Sequence, residues 1–170
     1  MKALTIREPW ATCLVYGPKR IENRSWVPPR TMMGQRIAIH TGVQFTEKER
    51  DALHVVGNRI FAHSLKHGVD MSQALNRLAT MADLAPRKNQ TVEGFGAIIG
   101  VATLVECIGG PARALELGQG DWFTGPLAYL LDDVHPVEPP VPVRGRQRFW
   151  TVPQAQAVLV DRRAKGRVAA

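Results

Sequence analysis

The sequence predicts a small barrel-like α+β domain. Three observations carry that expectation: several short apolar runs have strand composition, the longest contains glycines of the kind that mark bends, and helical stretches interrupt the series. At 170 residues one compact domain with a real core is expected over 1–170.

The elements follow in order. Lys2 to Arg7 has the Ala/Leu/Ile mixture of a short strand. In EPWATCLVYGP, Pro9 suits the first helical position and Gly17-Pro18 a stop, which predicts a helix from about Pro9 to Tyr16. Lys19 to Trp26 is too polar for a buried helix and reads as a strand leaving that turn. VPPR at 27–30 is an extended linker. GQRIAIHT at 34–41 alternates Arg36, Ala38 and His40 with Ile37 and Ile39, a half-buried strand. Thr46 and Glu49 have capping-box spacing and open a helix through TEKERDALHVVGNRIFAHSL. A second helix is predicted over 71–84, with Leu75, Leu78 and Met81 or Ala82 on one side, and a polar loop over 86–94. The segment 46–93 thus reads as a helical insertion. GFGAIIGVATLVEC at 94–107 predicts a central strand bent at Gly100. A loop and a strand near Leu127 to Val134 follow, then an extended edge-like segment at 137–145. Pro153 sets the start of a final helix, roughly 153–165.

Composition excludes several classes. Apolar residues at 45% and charged residues at 22% are ordinary for a soluble globular protein. No apolar run reaches the ~18 residues of a membrane span. Arg7 and Glu8 stand where a secretory leader needs its apolar stretch, so a cytoplasmic location is expected. Cys13 and Cys107 suit neither a disulfide framework nor a metal site, and are expected as buried free thiols. His63 and His67 have the i, i+4 spacing of a metal pair. No carboxylate or third histidine lies near them in the chain, so exposed helix histidines and no metal are expected. The glycines of GFGAIIG lack the strand–loop–helix context of a nucleotide loop, and no cofactor is expected.

The net charge of +7 is unevenly placed. Residues 1–40 carry seven Lys/Arg against two acids; residues 144–170 carry seven against Asp161 alone; the middle is acidic. If the ends meet, they form a positive face suited to phosphate or another polyanion. Two separate solvated basic segments are the equal alternative.

The run GPKRIENRSW at 17–26 is the sharpest local feature. As a strand, it puts Arg20, Glu22, Arg24 and Trp26 on one face and Ile21, Asn23 and Ser25 on the other, and neither face is apolar enough for a core. Glu22 between arginines forms charge-assisted pairs that fix guanidinium planes, Lys19 points into the same space, and Trp26 is available for stacking. This predicts a cleft for an anion or nucleobase; an exposed edge strand with weak salt bridges is the alternative. His40 is either a cleft residue or a hydrogen-bonded structural one. Trp122, in a glycine-flanked loop, either lids the cleft or packs on the barrel rim. Arg144, Arg146 and Arg148 alternate along a penultimate strand, where they extend the positive face or form a solvated edge.

These residues also carry a resemblance. The first 26 residues and GQRIAIHTG resemble the start of the ASCH domain family. The family's Gly-x-Lys-x-x-x-x-Arg stretch is matched by Gly17, Lys19 and Arg24. A bacterial and phage branch has Ile-Arg-x-Pro-Trp and Glu-Asn-Arg-x-Trp runs, here Ile6, Arg7, Pro9, Trp10 and Glu22, Asn23, Arg24, Trp26. Its Gly-x-Ile-x-Ile-His strand is similar to Gln35 to His40, and WFTGPLAYLLDDV and PVRGRQRFW resemble its later strands. The resemblance does not extend over 50–93. It implies a PUA-like β-barrel decorated by helices, and a cleft lined by Lys19, Glu22 and Arg24 with a role in RNA or DNA binding. Arg7, Trp26, His40 and Trp122 are expected as its walls, around RNA, DNA or a nucleotide-like ligand. One branch hydrolyses N4-acetylcytidine with a Lys, a Thr and a Glu. Lys19 matches the lysine, Glu22 occupies the threonine position, and the third member has no clear counterpart, since Glu116 and Asp121 precede the right strand. Another branch is similar to metal-assisted ribonucleases. If this chain is an enzyme, Lys19 and Glu22 are the implied catalytic pair of a hydrolase. A protein partner recognised by the 50–93 insertion is a third expectation.

Overall fold

The computed structural model describes residues 1–83 and 95–165. Its centre is a six-stranded sheet made of β1 (Lys2–Ile6), β2 (Ile21–Arg24), β3 (Arg36–Thr41), β4 (Ala97–Ile108), β5 (Leu127–Pro142) and β6 (Phe149–Thr151). The spatial order is β2-β5-β4-β3-β1-β6. Only β1 and β3 run parallel, with Thr5 opposite His40; every other pair is antiparallel.

The long strands are what curl this sheet into a half-barrel. The β4–β5 ladder shifts register at three places and β3–β4 at one, and each irregularity bends the strand and adds twist. Gly100, at the first shift, has the expected role with an added reason. A Cβ there would lie 2.6 Å from Val15 of α1 (Trp10–Tyr16), so the glycine lets the helix rest on the strand. Curling returns the β2 edge towards β1 and β6 without backbone pairing. Side chains span the seam: Arg24 donates to the Thr5 carbonyl at 2.8 Å, and Trp26 meets Phe149 edge-on at 5.5 Å.

Three apolar clusters fix the layers. Leu4, Ile6, Ile37, Ile39 and Leu131 pack with Leu14 and Val15 of α1. Ala3, Ala38, Val101 and Trp150 pack under Val160 and Ala164 of α5 (Gln154–Lys165). The third joins Leu53, Val56 and Ile60 of α2 (Glu47–His67) to Leu78 and Met81 of α3 (Ser72–Ala82), with Ile21 and Trp122. The capping box at Thr46 and Glu49 is formed as its spacing predicts.

Some expectations change. The segments 127–134 and 137–145 are largely one strand, ending at Pro142. Beyond Leu131 no strand of the described residues pairs with the second edge of β5, so the prolines that follow sit in a strand laddered on one side only. Residues 143–148 have no regular structure, so the arginine trio lies on a loop rather than a strand. A short helix α4, Pro111–Glu116, had no counterpart in the sequence reading. Cys13 is buried, with its thiol pushed up to about 12 by burial; Cys107 is only half-buried. The loop expected at 86–94 lies outside the described residues. No helix of the described residues is long and apolar enough to cross a membrane.

Candidate functional site

The open seam of the half-barrel forms a cavity of about 1010 Å³. Thr5, Arg7 and Trp10 line it from β1 and the start of α1, Glu22, Arg24 and Trp26 from β2 and just beyond, and His40, Gly42, Val43 and Gln44 from the end of β3 and just beyond. Phe95 and Gly96 close one side, and the loop Val143–Arg148 overhangs the other. The two basic chain ends therefore meet, because β1 pairs with β6 and brings the 143–148 loop beside Arg7 and Arg24.

The floor is a row of three charges. Glu22, 8% exposed, receives Lys19 Nζ on Oε2 at 2.9 Å and faces Arg24 Nη2 from Oε1 at 3.2 Å. Lys19 is 1% exposed, and its ammonium also donates to the Ile21 carbonyl. It does not line the cavity; it lies beneath Glu22 and holds it. A four-carbon stem this deep reaches the nearest carboxylate and carbonyl, and no group of it is left for the opening.

The other polar residues of the stretch have separate tasks. Arg20 keeps a backbone bond to β5, its carbonyl accepting from the Leu131 N–H, but its side chain does not line the cavity as alternation predicts. Its Nη1 donates to the carbonyls of Leu14, Gly17 and Lys19, serving the unpaired acceptors at the end of α1. Asn23 anchors the loop that leads into β5, donating to the Trp122 carbonyl and accepting from the Thr124 and Gly125 N–H groups.

The overhanging loop is fastened from below. His40, 1% exposed, meets the Val143 carbonyl through Nε2 at 2.9 Å and Thr5 Oγ1 through Nδ1 at 3.2 Å. Thr5 Oγ1 donates to the Arg146 carbonyl at 2.9 Å and accepts from Trp150 Nε1 at 3.1 Å. Gly145 sits on the imidazole so closely that a Cβ would lie 2.3 Å from His40 Cε1. Burial lowers the His40 pKa, against the pull of its backbone acceptors. Of the two readings of His40, the hydrogen-bonded one describes its ring nitrogens, while the ring still forms part of the wall.

The loop's cargo is cationic. Arg144, Arg146 and Arg148 are exposed and line the opening, and none makes an ion pair among the described residues. Arg148 lies over Trp26, 5.7 Å from the ring centroid. Arg7 is paired to Glu49 at 2.9 Å, which ties the start of α2 to the rim. Glu22 is the one acid among the lining residues.

Of the residues expected in the cleft, Arg7, Glu22, Arg24, Trp26 and His40 are brought together there. Trp122 is not. It is 6% exposed, packs in the cluster with α2 and α3, and has Arg59 over its ring at 5.0 Å. Thr5 and Trp10 were missed, though period-two spacing back from Arg7 points to Thr5. Nothing in the sequence marks Phe95 and Gly96. The His63 and His67 rings lie 4.3 Å apart, tilted by 36°, and no group of three metal-ligating side chains occurs among the described residues.

An ASCH protein from Zymomonas mobilis has the same architecture. Its crystal structure matches with a TM-score of 0.51 at 12% identity, over 95% of this chain and 93% of that one. The chain has the ASCH fold. Two point-mutant structures of the Zymomonas protein match at 14% identity with TM-scores of 0.47 and 0.48, each over 92% of this chain and 91% and 93% of theirs. No family model matches the sequence, and no curated protein does. At this identity the ASCH likeness speaks for the half-barrel and its helices, and the chemistry of the cleft rests on the residues themselves.

Proposed function

We propose that this ASCH-fold chain binds nucleic acid, RNA in the first instance, in the seam of its half-barrel. The observation that carries the reading is the 143–148 loop: three arginines without carboxylate partners stand over a cavity walled by Trp10, Trp26 and His40. Phosphates take the guanidinium groups and bases take the rings, the division of labour by which basic, aromatic grooves hold nucleic acid. Glu22 and Arg24 serve this reading as a fixed polar floor, with Lys19 beneath them holding Glu22.

A hydrolytic role for the same floor has less support. It needs Lys19 beside the reacting atoms, and that ammonium is buried beneath Glu22 and hydrogen-bonded there. Turnover of RNA or a modified nucleoside, abolished by Glu22→Gln and by Lys19→Ala, would restore it.

Fluorescence anisotropy with a labelled single-stranded RNA, repeated across salt concentrations, tests the binding reading. Three arginine–phosphate contacts give a slope of log K against log salt of about −2 for a single strand, and replacing the three arginines with serine flattens it. Absence of binding at low salt removes the proposal.

A further inference from the structure

The hydrogens under the rim loop do not balance while His40 is neutral. Thr5 Oγ1 has one hydrogen and two lone pairs. One lone pair accepts from Trp150 Nε1 at 3.1 Å, and the Arg146 carbonyl, at 2.9 Å, needs the hydrogen. His40 Nδ1 lies 3.2 Å from the same oxygen, and Nε2 lies 2.9 Å from the Val143 carbonyl. A neutral imidazole with its hydrogen on Nε2 serves Val143. Its bare Nδ1 then competes with the Arg146 carbonyl for the single Thr5 hydrogen. A ring with its hydrogen on Nδ1 instead sets a lone pair against Val143. Only the imidazolium, a donor at both nitrogens, fills every contact at once.

The surroundings make that second proton conditional. Burial opposes it, while the Val143 and Gly96 carbonyls favour it. The neighbours on the flanking strands are neutral: Thr5 from β1, Ile98 from β4, and Trp150 from β6, edge-on at 5.4 Å. The charges around the cavity are Arg7 with Glu49, Arg24 with Glu22, and Arg144, Arg146 and Arg148 on the loop. Cations outnumber acids there, so they resist a further positive charge, and an anion seated among them removes the resistance.

We infer that His40 is a proton-operated clasp: a second proton on its ring releases the Thr5 hydroxyl to the Arg146 carbonyl and seats the arginine loop. Its consequence for binding rests on the nucleic-acid reading above: RNA then takes up a proton as it binds, and affinity rises as pH falls. NMR on the full chain, labelled with carbon-13 and nitrogen-15, tests both halves. The His40 ring nitrogens and the Arg146 carbonyl carbon are followed from pH 8 to 4.5, alone and with a 12-nucleotide single-stranded RNA. At pH 8 the free ring should be the Nε2–H tautomer, and the Arg146 carbonyl should shift with the same midpoint as the ring. RNA should raise that midpoint by about one unit, which is a tenfold gain in affinity across the titration. An Arg146 carbonyl that ignores the ring's titration overturns the clasp, and so does a ring that stays neutral throughout. An unmoved midpoint with RNA bound overturns the coupling. Failure of RNA to bind defeats the nucleic-acid reading alone, because the free-chain titration still decides the clasp. Every arm uses the wild-type chain, so no variant has to fold.

Discussion

Glu8 and Glu22 flank the same short helix, and both carboxylates are withdrawn from water, at 2% and 8% exposure. Their surroundings differ in kind. Glu8 accepts from the Thr12 N–H at 3.0 Å and the Thr12 hydroxyl at 3.1 Å, and makes no ion pair among the described residues. Burial pushes its pKa up to about 7, against the Thr12 bonds and the more distant Arg77. Glu22 has a cation on each oxygen and lines the cavity; Glu8 does not line it. Perturbed carboxyls are often a guide to functional sites. In this chain that guide marks Glu8, a residue off the cavity that caps the start of α1, while the acid that lines the opening, Glu22, is distinguished by its two cationic partners.

The same substitution at both positions gives the largest contrast. Glu22→Gln leaves the Lys19 ammonium buried with a neutral partner, and breaking a buried pair in this way should destabilise by about 3 kcal/mol in urea melts at pH 8. Glu8→Gln should instead stabilise at that pH. The folded pKa of Glu8, about 7, lies above the ordinary 4.5, so the folded chain keeps a proton that the unfolded chain has lost. Its contribution is complete below pH 4.5, falls as pH rises to 7, and amounts to about 3 kcal/mol. His40 has the opposite sign, because its lowered pKa makes stability fall as pH drops through about 6.5. The difference between wild type and Glu8→Gln therefore isolates Glu8. A difference that stays flat from pH 4.5 to 8 would mean that Glu8 is not buried as described.

How much of this was legible in the sequence follows from how local each cause is. The capping box depends on neighbours a few residues apart and formed as read, whereas GQRIAIHT formed its strand but is buried on both faces, because α5 packs over the side that alternation leaves half-polar. The gathering of Arg7, Glu22, Arg24 and Trp26 was also legible, since a strand without an apolar face needs an explanation other than the core. What failed depended on distant partners. Arg20 turned to helix carbonyls that alternation does not know about. Alternation sets the arginine trio on a strand, whereas Gly145 within it lies against His40, a hundred residues earlier in the chain. Lys19 was placed in the opening because its depth is set by the curl of the whole sheet.

Thr5→Val tests the fastening between the two basic chain ends and should have a middling effect. It strips a partner from the Trp150 indole, the His40 ring and the Arg146 carbonyl together. Leaving such groups unpaired costs about 1–3 kcal/mol, visible as a lowered urea midpoint. RNA affinity should fall several-fold because the rim arginines lose their seat, although Thr5 carries no charge. Unchanged affinity would show that the loop holds its place without the fastening.

Trp122→Phe should have the smallest effect, and it bears on the boundary of the cleft. The sequence offers Trp122 as a lid beside Trp26, two indoles in similar company. In the fold they part: Trp26 faces the opening, and Trp122, its carbonyl held by Asn23, packs in the cluster with α2 and α3. Phenylalanine keeps most of that packing and weakens the contact with Arg59, worth about 0.5–1 kcal/mol. A small drop in melting temperature with unchanged RNA affinity is expected. An affinity loss equal to that of Trp26→Phe would place Trp122 within reach of the ligand. The cleft would then have to extend past Asn23 to the far side of β2, which the burial of Trp122 now closes off.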